Sequence, residues 1–182
     1  MTPADTEGGS MASGTDRLKS DQILEHVKRL QRAREVVDVD TELVKVVVFT
    51  SGIHRFALYG STVREILPPT PVAWVPGLPP HLPGLINVRG DIESVLDLRS
   101  LLGQETVPAE SCLVAMVTQG SFRSGILVDA IEDVRDIPVS AVHPPLSTLS
   151  GIARELAAGA IDLDGLQITL LDTEKLATRA RL

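Results

Sequence analysis

The sequence has very few aromatic residues and no excess of positive charge. Its 182 residues include one Trp, one Tyr and three Phe, together 3% of the chain, and its formal net charge is -7. Proteins that hold single-stranded nucleic acids stack the bases on aromatic side chains in a basic groove, and phosphate contacts need Lys and Arg. Both deficits argue against a nucleic-acid-binding protein. The core must be built from Val, Ile, Leu and Ala.

Cysteine is equally scarce, because Cys112 is the only one in the chain. A single thiol excludes an internal disulfide and a zinc site made of several cysteines. The apolar run that follows Cys112 predicts a packed core thiol rather than a nucleophile. The first residues lack the basic start and apolar stretch of a secretory signal. No apolar run approaches the roughly 18 residues of a membrane span. We therefore expect a cytoplasmic protein.

The sequence does contain enough apolar residues, 43% of the chain, for a soluble globular fold. Residues 1–19 are small and polar, which predicts a disordered tail. Residues 20–40 predict a helical extension that either packs on the body of the protein or binds a partner. The remaining residues, 41–182, form the main domain. The helix prediction rests on apolar residues at helical spacing: Ile23, Val27, Leu30 and Val37.

From about residue 42 the pattern changes to short β-branched runs that are separated by turn residues. The first run, 43–49, is typical of a buried strand. Asp164-Gly165 stands between two runs and predicts a hairpin turn. Many short strands at this spacing predict one or two small barrels rather than a parallel sheet with crossover helices. The other predicted strands are 54–58, 85–88, 92–97, 112–118, 121–128, 130–136, 159–163 and 166–171.

Short helices and a proline-rich connector complete the main domain. Between residues 67 and 84 the prolines predict a stiff, extended segment over a barrel wall, with Trp74 or Leu78 tucked in. The last predicted helix places Leu176 inward. The predicted helices are 61–66, 98–102, 150–156 and 172–182.

The chain carries no motif for catalysis or metal binding. There is no nucleophile elbow or phosphate-binding loop, and the four histidines are scattered without metal-ligand spacing. Asp91 and Glu93 share a strand face and could do acid–base work, but a solvated face is the favoured interpretation. Asp162 and Asp164 lack the further ligands of a calcium loop. We expect no enzyme, no cofactor and no metal.

Three charged residues stand inside apolar runs, where burial is costly unless the charge is paired. They are Glu65, Arg89 and Asp129. Glu65 and Arg89 could pair with each other or with backbone carbonyls. Alternatively, Arg89 lies at a surface where a partner docks.

These residues lie in motifs that resemble those of the CheW-like domain family. The resemblance begins at about residue 41, runs to the C-terminus and keeps the family order. Its most specific part is the segment 84–90 followed by 95–99. The other matching segments are 59–66, 75–79, 125–134, 151–152 and 170–176.

The resemblance implies a mainly β fold of two five-stranded SH3-like barrels around a shared apolar core, without catalysis. Proteins of this family are adaptors that link chemoreceptors to the histidine kinase CheA. They pair with the CheA regulatory domain and bind the receptor tip in a groove between the barrels. An apolar groove suits a helical tip. The resemblance thus implies a cytoplasmic protein that is recruited to receptor arrays at the inner membrane, without inserting into it.

The resemblance also assigns partner-binding residues to this chain. Those at or supporting the receptor-facing groove would be Val63, Glu65, Ile66, Gly84, Arg89 and Gly90. Val128 and Val134, from the other barrel, are further candidates.

One segment departs from the family pattern. The family usually has Arg-Gly-x-Ile-x-Pro, whereas this chain has Ser94 in place of the proline, and Asp91 and Glu93 add negative charge. This departure puts the usual partner set in question. Two other hypotheses stay open: a stand-alone barrel that binds a ligand or an oligonucleotide, and a small enzyme that uses Asp91 and Glu93. Charge and aromatic scarcity count against the first of these.

Overall fold

The computed structural model describes residues 42–180, which belong to one compact unit, Glu42–Leu182. The predicted tail at 1–19 and the predicted helix at 20–40 lie outside the described residues.

The described residues form eleven strands. In chain order these are β1 (Leu43–Ser51), β2 (His54–Tyr59), β3 (Val63–Leu67), β4 (Gly84–Val88), β5 (Asp91–Asp97), β6 (Leu113–Gln119), β7 (Phe122–Val128), β8 (Ala130–Pro138), β9 (Val142–His143), β10 (Ala157–Leu163) and β11 (Leu166–Leu171).

The strands form two sheets. One sheet has six strands in the order β8-β1-β2-β11-β10-β9, and the other has five in the order β3-β6-β7-β5-β4. Most neighbours are antiparallel, but β2 pairs with β11 and β5 pairs with β7 in parallel. Because β9 has only two residues, the six-stranded sheet has five strands of ordinary length.

Each sheet closes on itself around an apolar interior. In the five-stranded sheet, Leu67 of one edge strand and Ile86 of the other pack into the same cluster. In the six-stranded sheet, Ile137 and Val142 of the two edge strands do the same. A third cluster combines residues of both sheets, such as Phe49 with Ile126. The predicted architecture of two small barrels around a shared apolar core is therefore confirmed.

Residues 42–180 also contain three short α-helices. They are α1 (Leu98–Leu101), α2 (Gly151–Leu156) and α3 (Thr173–Arg179). The Asp97 carboxylate accepts a hydrogen bond from the Arg99 amide at the start of α1, and Asp172 caps α3 in the same way. Leu176 of α3 is fully buried, which confirms its predicted inward position.

The structure confirms one predicted turn and contradicts one predicted helix. At the β10–β11 hairpin, Asp164 and Gly165 both have positive φ, 55° and 80°, as a tight two-residue turn requires. The predicted helix at 61–66 is wrong: a 3₁₀ turn at Gly60–Thr62 leads into strand β3. Ladder pairing with β6 decides this segment, since a short apolar run fits either structure.

The proline-rich connector is held at a few points. Ala73 exchanges two backbone hydrogen bonds with Leu85, at 2.7 and 2.9 Å. Leu78 packs against the shared core, whereas Trp74 is 74% exposed. Of the two alternatives that the sequence offered for the residue that tucks in, Leu78 is the one that does so.

Candidate partner-binding site

A charged pocket of about 340 Å³ lies where the five-stranded barrel opens to solvent. We call it the barrel mouth. Val88 and Met116 belong both to its lining and to the buried interior of this barrel, so the pocket opens onto that interior. Charged side chains from several strands surround them. The lining residues are Arg64, Glu65, Val88, Arg89, Asp91, Met116, Thr118 and Arg123.

Arg89 and Gly90 form the turn of the β4–β5 hairpin at this mouth. The register pairs Val88 with Asp91, and φ is 54° at Arg89 and 100° at Gly90. The Gly90 amide donates a hydrogen bond of 2.8 Å to Asn87 Oδ1. An arginine is uncommon in this left-handed conformation, and such backbone outliers concentrate at functional sites.

The Arg89 side chain pairs with Glu65, as one of the sequence alternatives proposed. Arg89 Nη2 lies 2.6 Å from Glu65 Oε2, and this joins the hairpin to β3. The Arg89 side chain is nevertheless 80% exposed and that of Glu65 is 29% exposed. An exposed pair of this kind stabilises a fold by only about 0–1 kcal/mol. Arg89 is therefore both paired and accessible.

A second cluster at the barrel mouth centres on Arg123 of β7. Arg123 Nη2 lies 2.7 Å from Glu93 Oε1 and 3.5 Å from Asp91 Oδ2. The Glu93 side chain is only 9% exposed. The predicted solvated face is therefore wrong for Glu93, because the strand turns it into the barrel, while Asp91 remains 68% exposed. Both carboxylates contact the same guanidinium, which disfavours the enzyme hypothesis.

Arg123 was not predicted from the sequence. Its only signal is strand alternation, which places it on the same face of β7 as the buried Leu127. Its carboxylate partners could not be read from the sequence, because β5 and β7 are parallel neighbours that are distant along the chain.

The other predicted residues of this barrel have different surroundings. Val63 and Ile66 lie on β3 beside Glu65, with Val63 packed against the shared core and Ile66 38% exposed. Gly84 is buried, and a Cβ there would lie 2.2 Å from the backbone oxygen of Ala73. Gly84 therefore supports the connector rather than contacting a partner.

Val134 and Val128, the two candidates predicted in the other barrel, lie in different barrels in the structure. Val134 lies on β8 of the six-stranded sheet, opposite Val47, and is 53% exposed. Val128 was predicted in that barrel too, and this is wrong. It belongs to β7 of the five-stranded sheet and is 1% exposed, packed in the shared core. Its side chain has no surface to offer a partner.

A second concave surface has a different character. This groove, of about 760 Å³, lies among the β1–β2 turn, the end of α1, the segment 146–150, α2 and β11. We call it the large groove. Ile53 and Leu166, at the tips of two hairpins, are 91% and 48% exposed at its rim. Its charged lining residue, Arg55, is paired with Glu132 at 2.8 Å.

A partly buried polar cluster connects the elements beside the large groove. Asp129 stands between β7 and β8, where the chain passes from one barrel to the other. Its carboxylate accepts a 2.8 Å hydrogen bond from the Gly52 amide and pairs with the Arg99 guanidinium of α1. The hydrogen bond to Asp129 raises the pKa of Arg99, and burial raises the pKa of Asp97 beside it.

Cys112 is buried at 3% exposure, so the core-thiol prediction is confirmed. Burial raises the pKa of the Cys112 thiol, which disfavours the thiolate.

Comparison with known proteins connects this arrangement to a family. A family model described as "CheW-like domain" matches residues 45–181. A probable chemotaxis protein CheW of Rhizobium etli is 29% identical, over 72% of this chain and 86% of that protein. Protein FrzA of Myxococcus xanthus is 32% identical, over 73% and 84%. The crystal structure of scaffolding protein TtCheW from Thermoanaerobacter tengcongensis has the same fold, with a TM-score of 0.65, 24% identity and coverage of 72% and 90%.

Proposed function

Because the chain belongs to the CheW-like domain family, we propose that it is a non-enzymatic adaptor that couples chemoreceptors to a CheA-type histidine kinase. The relatives are named as chemotaxis and scaffolding proteins. This favours an adaptor over a stand-alone barrel that binds a ligand or an oligonucleotide.

The receptor tip binds at the barrel mouth in this proposal. The observation that supports it most is Arg89, an exposed arginine in a left-handed turn whose charge is held by one neighbour, Glu65. A conformation that costs stability is retained where a side chain must be aimed. Val63 and Ile66 of β3 lie beside this pair and add apolar contacts for a helical tip.

An adaptor needs a separate surface for its second partner. We assign the CheA-type regulatory domain to the large groove, because Ile53 and Leu166 expose apolar area at its rim. Exposed apolar groups around a concave surface are typical of protein–protein contacts. The groove's lining comes from the turn and α2 side of the six-stranded barrel together with α1. The barrel mouth belongs to the five-stranded barrel.

The adaptor would work in the cytoplasm and reach receptor arrays at the inner membrane through its partners. Each helix within residues 42–180 is too short and too polar to cross a bilayer.

The test is a titration of the full chain against a receptor-tip fragment and against a CheA-type regulatory domain. Arg89→Ala should weaken binding of the receptor tip about tenfold, equivalent to about 1.4 kcal/mol. Binding of the kinase domain and the unfolding free energy should stay unchanged. Lys45→Ala is the matched control, because Lys45 forms a comparably exposed pair with Asp136 on the other barrel.

Two outcomes contradict the proposal. If the wild-type chain binds neither partner, it is not an adaptor of this type. If Arg89→Ala lowers stability by several kcal/mol, the pair with Glu65 serves the fold and the barrel mouth loses its main support.

A further inference from the structure

We infer that Arg123 is a positioning residue for the barrel mouth: it holds the β4–β5 hairpin where Arg89 can meet the receptor. This inference rests on the proposed function, because it concerns the same surface. Arg123 is not among the residues that the family resemblance assigns to partner binding.

The backbone pairing between β5 and β7 ends before it reaches the hairpin turn. The parallel ladder between β5 and β7 runs from Ser94 opposite Ser124 to Asp97 opposite Leu127. Asp91 and Glu93 lie beyond its end, so this part of β5 has no backbone pairing with β7. The Arg123 side chain reaches both of them, at 3.5 and 2.7 Å. It therefore continues the connection to β7 up to the hairpin turn.

The two ion pairs at the barrel mouth differ in burial: the Arg123–Glu93 pair is less exposed than the Arg89–Glu65 pair. The Glu93 and Arg123 side chains are 9% and 52% exposed, whereas those of Glu65 and Arg89 are 29% and 80% exposed. Removing the cation from a buried carboxylate leaves an uncompensated charge, which is strongly unfavourable. An exposed pair costs little to open. Arg89 can therefore exchange Glu65 for a partner, while Arg123 must stay with Glu93.

Ser94, the serine that replaces the family proline, adds a further side-chain contact to β7. Ser94 Oγ lies 3.0 Å from Ser124 Oγ, and the Ser124 hydroxyl donates to the Ser94 carbonyl oxygen, also at 3.0 Å. Proline cannot donate a backbone hydrogen bond to a ladder and carries no hydroxyl. Ser94 and Arg123 together attach the receptor-facing hairpin to β7 by side-chain contacts.

The experiment uses the full chain and four variants: Arg123→Met, Arg123→Lys, Glu93→Met and the double variant of Arg123→Met with Glu93→Met. Arg123→Met should weaken binding of a receptor-tip fragment about tenfold, as expected for a 1.4 kcal/mol loss. Binding of a CheA-type regulatory domain should not change. Arg123→Lys keeps the cation and should lose less.

The double variant separates positioning from direct contact. It removes both charges, so the buried position of Glu93 no longer holds an unpaired carboxylate, and apolar side chains in place of such a pair are often as stable as the pair itself. Affinity for the receptor tip should therefore return to within about threefold of the wild type. If the double variant binds as weakly as Arg123→Met, Arg123 contacts the receptor itself and the inference is wrong. A parallel loss of affinity for the kinase domain would show a general structural role, which also overturns it.

A readout on the free protein separates this inference from the proposed function. Amide hydrogen exchange in residues 85–94 should be faster in Arg123→Met and should return toward the wild-type rate in the double variant. Unchanged exchange overturns the inference, even if the receptor tip binds. If the wild-type chain fails to bind the receptor tip, the proposed function fails instead, and the exchange experiment still decides whether Arg123 holds the hairpin.

Discussion

The barrel mouth and the large groove differ in how they are built. The barrel mouth is small, about 340 Å³, and is surrounded by ion pairs between strands of a single barrel. The large groove is about 760 Å³ and is formed by turns and short helices, with exposed apolar tips at its rim. Charged residues on strands can be found in a sequence, because they interrupt apolar runs. A groove made of turns leaves no such pattern, so the large groove was not predicted from the sequence.

Each surface also has a structural support. Gly84 lets the proline-rich connector approach the start of β4, the strand whose other end reaches the barrel mouth, and Asp129 ties the Ile53 turn to α1 beside the large groove. If the comparison is right, changes in these supports alter stability, whereas changes at the surfaces alter binding.

The largest effect is expected at Gly84. Gly84→Ala places a Cβ 2.2 Å from the Ala73 carbonyl oxygen, a backbone atom that can move only with the connector. We expect the unfolding free energy to fall by about 3 kcal/mol, the upper part of the range for overpacking. Urea denaturation measures it.

The control for this change is Gly77→Ala. Gly77 also has a positive φ, 82°, but a Cβ there meets nothing within 4 Å. Gly77→Ala should therefore lower the unfolding free energy only by the cost of the backbone strain, about 1 kcal/mol. Equal losses of unfolding free energy in both variants would show that the close approach of the connector is not the reason that position 84 needs a glycine.

The next effect is expected at Asp129. Asp129→Asn removes the charge that pairs with the half-buried Arg99, so the unfolding free energy should fall by about 2 kcal/mol, less than for a fully buried pair. Asp136→Asn, in the exposed pair with Lys45, should cost about 0.5 kcal/mol or less. A similar loss in both variants would contradict a support role for Asp129.

A smaller change in stability but a large change in binding is expected at Ile53. Because this side chain is 91% exposed, Ile53→Asp should alter the unfolding free energy by less than about 0.5 kcal/mol. Affinity for the CheA-type regulatory domain should fall at least about tenfold, as measured by calorimetry. Ile92→Asp, a change at an exposed isoleucine of β5, is the control. If both variants keep full kinase affinity, the assignment of the large groove is wrong.

The smallest effect is expected from removing residues 1–39. The domain prediction of 41–182 requires the barrels to stay folded, with an unchanged thermal midpoint for the barrel transition. Circular dichroism during heating measures it. Loss of the cooperative transition would show that the N-terminal segment completes the core.

Strand pattern and turn chemistry accounted for most of the fold. The first strand and the Asp164-Gly165 turn were predicted because β-branched runs and a positive-φ dipeptide act locally. The segment 61–66 was misread because its structure depends on pairing with β6, which is distant in sequence.

The candidate site was predicted in part. The pairing of Glu65 with Arg89 was one of the alternatives that followed from the cost of leaving charges unpaired in apolar runs. The burial of Glu93 did not, because it depends on which strand lies beside β5. Val128 was misplaced for the same reason: the end of its strand, Gly125 to Val128, is apolar and carries no signal of which barrel it joins.

By itself the sequence determined a β-rich adaptor domain of the CheW-like family, the hairpin at Asp164-Gly165 and the prominence of Arg89. Only the tertiary structure decided that Arg123 meets Glu93, that Val128 belongs to the core and that Ile53 stands at the rim of a groove. The physical reason is the distance along the chain over which each kind of interaction acts. Propensity and turn geometry act between near neighbours along the chain, whereas ion pairs, burial and grooves arise where distant strands and turns are brought together.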